Sequence, residues 1–128
     1  MKGERPGTRQ TPDGYGDAAP GVMPEFSQDM LAEIIRRLVA ALTPRAIYFF
    51  GSHAYGTPHR DSDIDLLIVL DHIDSIMDVA RRGYGALFGL GLPIELHFIT
   101  AEKLERYSGV IGSFHREVKT RGRIVYAA

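Results

Sequence analysis

Asp63 and Asp65, set two residues apart at the head of an apolar run, are well placed to do chemistry. Gly51 and Ser52, at the tail of an earlier apolar run, are the second such group. Side chains at i and i+2 of a strand leave the same face, so the two carboxylates should stand side by side while Ile64 and Leu66 turn away. Adjacent carboxylates repel unless a cation lies between them. A hard divalent ion with oxygen ligands suits them, Mg²⁺ above all. Gly51 offers a turn with no side chain, through which backbone can approach a phosphate chain. Ser52 adds a hydroxyl donor. Taken alone, a Gly-Ser turn is an ordinary strand–helix junction and two aspartates an ordinary solvated strand entry. Together they suit transfer of a phosphate-bearing group, which needs in-line positioning and charge neutralisation more than covalent help from the protein.

The string Gly51-Ser52-His53-Ala54-Tyr55-Gly56, followed by Ser62-Asp63-Ile64-Asp65-Leu66, resembles the signature of the DNA polymerase β-like nucleotidyltransferase superfamily. It is most similar to the minimal nucleotidyltransferase (MNT) branch, and the resemblance runs from about Ser27 to the C-terminus. The resemblance implies that Gly51 and Ser52 hold the incoming triphosphate. It also implies that Asp63 and Asp65 hold two Mg²⁺ ions, and that AMP moves from ATP to a hydroxyl. A third carboxylate is then wanted, as metal ligand or as general base. Glu95, in Pro93-Ile94-Glu95-Leu96-His97-Phe98, is the candidate. The family usually carries Asp there, and the extra methylene matters for an ion that tolerates geometric error poorly. Tyr55 stands where relatives often carry Arg. These departures keep open a second reading, a binding module of the same fold that neutralises or scaffolds a partner without turnover.

The acceptor is not written in the residues. Relatives that act on antibiotics or tRNA ends carry an extra helical domain, whereas this chain ends soon after its last expected strand. The expectation is therefore a borrowed acceptor surface, and the resemblance suggests a small helical HEPN protein in a toxin–antitoxin pair. A small-molecule adenylyltransferase working as a homodimer is the third option. His97 shares the face of Glu95 by the period of two, while His53 and His59 sit near the motif. A lone histidine is more often a satisfied polar residue, so none enters the expected catalytic set.

The elements that must position these groups are readable in outline. Residues 1–24 are rich in Gly and Pro and read as a flexible arm, with the nucleotidyltransferase domain over 25–128. A helix should start near Ser27, carry the stripe Met30, Leu31, Ile34, Ile35, Leu38, Val39 and Leu42, and stop at Pro44. Strands are expected at about 45–50, 63–70 and 94–99, with a short strand over 123–126. A short helix should follow Ser52. A helix begun by Asp71 or Asp74 should use Ile73, Ile76, Met77, Ala80, Tyr84 and Leu87 as its apolar face, weakened by Gly83 and Gly85. Thr100 should cap a short helix, and Ser113 to Arg121 another that Gly122 ends. Helices interleaved with strands predict an α/β (α+β) sandwich around one central mixed sheet.

Bulk composition narrows the function classes. The chain has 128 residues, 24% of them charged, and a net charge of −1. That balance argues against a protein that grips nucleic acid unaided. It has no cysteine, hence no disulfide framework or thiolate metal site, which suits a reducing cytoplasm. No apolar run approaches the ~20 residues of a membrane-spanning helix.

Overall fold

The first helix shows how the chain builds its interior. In the computed structural model, which describes residues 29–51 and 64–128, α1 spans Leu31–Leu42 and buries Leu31, Ile34, Leu38 and Leu42 along one side. Each such side chain contributes about 1.5–3 kcal/mol when removed from water. Thr43 closes the helix in a left-handed conformation (φ 49°), its N–H donating to the Val39 carbonyl, and Pro44 prevents continuation. The arm, the Ser27 cap and the short helix after Ser52 lie outside the described residues.

Four strands follow: β1 (Ala46–Phe50), β2 (Ile64–Leu70), β3 (Ile94–Thr100) and β4 (Arg123–Ala127). They form one sheet in the order β3-β2-β1-β4. β1 pairs antiparallel with both β2 and β4, while β2 and β3 run parallel. The sheet is therefore mixed, as expected. Parallel pairing requires a crossover, and it is supplied by α2 (Ile76–Ala86).

Both faces of the sheet are covered. Ile47, Phe49, Ile64, Leu66 and Ile68 pack with α1 and with Val79 of α2. On the other face, Ala46, Phe50, Leu67, Val69 and Ile99 pack with Leu104 and Val118. Those last two residues belong to α3 (Ala101–Tyr107) and α4 (Phe114–Arg121). Thr100 and Ser113 cap these helices through their hydroxyls, which accept from the Lys103 and Arg116 N–H groups. The Thr100 cap matches the sequence reading, while Ser113, read there as the first helical residue, is the cap of α4.

Two details of the sequence reading need correction. The cap of α2 is Ser75, which accepts from Asp78 N–H, and not Asp71 or Asp74. Asp71 instead pairs with Arg45 at 2.6 Å. The buried face of α2 is Val79 and Gly83, with Leu87 beyond its end, whereas Ile76 and Met77 are 51% and 78% exposed. Gly83 is the reason. A Cβ there would stand 3.0 Å from Leu96 Cδ1 and 3.2 Å from Phe98 Cζ, so the missing side chain lets the helix lie close on β3. Tyr84 is held through its hydroxyl, which accepts from the Leu96 N–H at 2.9 Å on the edge strand. Gly122 ends α4 as read, but at φ −71° rather than in a left-handed turn. A Cβ there would meet the Val118 carbonyl at 2.5 Å.

Candidate active site

The end of β1 and the beginnings of β2 and β3 meet at one end of the sheet, and the candidate residues gather there. Asp65 is the second residue of β2. It lies opposite Phe50 across the antiparallel pair and opposite Glu95 across the parallel pair. Strand alternation sends Asp65, Leu67 and Val69 to the α3/α4 face, because Leu66 and Ile68 belong to the core beneath α1. Glu95 and His97 leave β3 on that same face. Two carboxylates thus come from adjacent strands in direct register. Asp65 is 21% exposed and half-buried beside the apolar core of this face.

Gly51 fits the carboxylate tightly. Its φ of +88° belongs to the left-handed region that L side chains rarely adopt. A Cβ at this position would sit 2.3 Å from Asp65 Oδ2. The sequence reading assigned Gly51 to phosphate approach. The structure adds a second reason for glycine, since the turn passes directly against the Asp65 carboxylate.

His97 also arrives here. Its Nε2 lies 3.7 Å from Asp65 Oδ1, and one ligand atom from each of Asp65, Glu95 and His97 falls within 4.8 Å of the others. Among the described residues this is the one group of three potential donors so arranged. Its ring packs against Phe50 and Phe114, with centroids 5.3 and 5.9 Å away. Sequence reasoning placed His97 on the Glu95 face and left it out of the catalytic set. The signal that would have admitted it is the pairing Leu67↔His97, which puts it one alternation beyond the Asp65↔Glu95 pair. Ser52 and Asp63 lie outside the described residues.

Two carboxylates and an imidazole converging from neighbouring strands form a donor set that a divalent cation fits. Glu95 and the Asp65 pair of oxygens are hard donors, suited to Mg²⁺ or Mn²⁺. The turn at Gly51 lies directly against Asp65 on one side of the group.

Comparison with known proteins bears on this arrangement. The family described as "Nucleotidyltransferase domain" matches residues 29–125. A Methanocaldococcus jannaschii protein described as "Putative protein adenylyltransferase MJ0604" is 36% identical over 84 residues, covering 64% of this chain and 78% of that protein. A Shewanella oneidensis protein described as "Protein adenylyltransferase MntA" is 32% identical over 59 residues, 46% of this chain. That match spans only 40% of the Shewanella protein. A crystal structure described as the toxin–antitoxin MntA-HpeT overlaps with a TM-score of 0.41 and 19% identity, over 78% of this chain and 73% of that one.

Proposed function

The chain belongs to the nucleotidyltransferase domain family, and on that premise we propose that it transfers AMP from ATP to a hydroxyl on a partner protein. The observation that carries this reading is the direct register of Asp65 with Glu95 beside the glycine turn at Gly51. The protein acceptor follows what the two relatives are described as doing, and the partner proposed is the small helical HEPN-type protein that the resemblance implies. A patch beside the site suits such a partner. Phe114, 44% exposed, touches His97, and the turn before it exposes Val110 and Ile111 at 52% and 86%. No described helix is long and apolar enough to cross a membrane. The cytoplasm, where ATP is abundant, is the compartment this reading requires.

In the proposed mechanism Gly51 lets the triphosphate lie against main chain, and Ser52 donates its hydroxyl to a phosphate oxygen. Asp63, Asp65 and Glu95 would hold the divalent ions, two Mg²⁺ in the family's manner. Bound there, such ions neutralise phosphate charge and lower the pKa of the acceptor hydroxyl. Glu95, on the edge strand and more exposed than Asp65, would take the acceptor's proton in this reading. The hydroxyl oxygen then bonds to the α-phosphorus and pyrophosphate departs.

The test uses ATP labelled at the α- or γ-phosphate, a divalent ion and a candidate helical partner. The reading expects α-label on the partner and γ-label only in pyrophosphate. γ-Label on the partner would mean kinase chemistry. Partner binding with neither label transferred would favour the non-catalytic binding module.

A further inference from the structure

We propose that His97 is a direct ligand of the bound divalent cation and that it turns the site toward Mn²⁺ and away from Mg²⁺. The inference rests on the cation-site reading above and concerns which ion that site selects.

Geometry separates a shared ligand from a mere neighbour. The His97 Nε2 to Asp65 Oδ1 distance of 3.7 Å is too long for a hydrogen bond. Two donors of one octahedral ion, each about 2.1 Å from it, stand about 3 Å apart when adjacent and about 4.2 Å apart when opposed. The His97–Asp65 separation falls inside that window, and the Glu95 carboxylate lies within 4.8 Å of both, a bound wider than the window. The spacing therefore admits His97 as a co-ligand of Asp65, and it is also that of a carboxylate–imidazole ion pair.

Its ring is also restrained. Phe50 packs on it from β1 at 5.3 Å and Phe114 from the start of α4 at 5.9 Å, and these two rings lie 5.3 Å from each other. A side chain flanked this way loses rotamer freedom before any ion arrives, so less remains to be lost on binding. The aromatic cluster is an observation independent of the carboxylates, and it fixes the imidazole beside Asp65.

Donor chemistry decides the ion. Mg²⁺ takes oxygen ligands and water, and gains little from an imidazole. Mn²⁺ accepts six-coordinate carboxylate and water ligation and also binds imidazole nitrogen. Exchanging an oxygen position for His97 therefore favours Mn²⁺.

The experiment uses the full chain without nucleotide, loaded with Mn²⁺ or Mg²⁺, and compares wild type with His97→Gln and Asp65→Asn. Pulsed EPR of the Mn²⁺-loaded wild type should show ¹⁴N modulation that disappears in His97→Gln. Calorimetry should show Mn²⁺ affinity falling by about tenfold or more in His97→Gln, with Mg²⁺ affinity changed by less than about twofold. Absence of ¹⁴N modulation in Mn²⁺-loaded wild type would overturn the proposal, whatever the folding of the variant. So would modulation that persists in His97→Gln, or equal losses of Mn²⁺ and Mg²⁺ affinity. If Asp65→Asn bound both ions as wild type does, the cation-site reading itself would fall, and this inference with it.

Discussion

At the scale of single residues, Asp65 and Gly51 constrain each other. The turn passes so close to the carboxylate that any side chain at Gly51 would displace it. Gly51→Ala should therefore carry a backbone cost of about 1–2 kcal/mol for the positive φ. It should also lower transfer by moving Asp65, and denaturant midpoints together with transfer rates would show both effects. Asp65→Asn keeps the shape and removes the charge. Transfer should fall by at least about a hundredfold, while a cooperative melt persists in circular dichroism. Loss of that melt would make Asp65 a structural residue. Part of this was legible from spacing: a period of two put Glu95 and His97 on one face of β3. Spacing could not say that position 97 would stand near position 65. That depends on sheet order, and a lone histidine offers no periodic partner to announce it.

Between elements, the instructive case is α2. Its Ile, Met and Tyr residues mimic an apolar stripe, so the sequence points to the wrong face. The helix instead lays Gly83 on β3, and the contact is made by absence of a side chain, which no hydrophobic pattern encodes. Gly83→Val should force the helix off Leu96 and Phe98 and cost about 1–3 kcal/mol, read from the denaturant midpoint. The end of α1 at Pro44, the span of β1 and the two hydroxyl-capped helices were legible because prolines, caps and apolar runs coincide there. The α1 surface adds a pH effect. Glu33 accepts from Arg36 and Arg37, and these guanidiniums hold its carboxyl at about 2, below the ordinary 4.5. Arg37 also reaches the Ala86 and Phe88 carbonyls at 3.4 and 3.3 Å, tying α1 to the end of α2. A lowered carboxyl stabilises the fold above its unfolded pKa and loses that contribution as pH falls through the folded value. Glu33→Gln should thus be less stable than wild type at pH 7. The gap should close between about pH 4.5 and about pH 2 in thermal melts.

For the molecule as a whole, the candidate groups Asp65, Glu95 and His97 gather at one end of the sheet, with an apolar turn alongside them. If a partner protein docks there, Ile111→Asp should reduce α-label transfer to that partner. ATP binding should stay the same, since Ile111 is 86% exposed and belongs to no core. Loss of ATP binding in that variant would place the residue in the nucleotide site instead. The acceptor was not legible in the sequence, because no motif in the chain encodes it, and on the proposed reading another molecule completes the surface that recognises it. The central claim is that carboxylates from two strands hold the nucleotide through a divalent ion beside Gly51. Calorimetry of ATP binding, with Mg²⁺ or Mn²⁺ and then with excess chelator, tests it most directly. The account predicts affinity at least about tenfold weaker once the ion is removed; an affinity indifferent to chelator would contradict it.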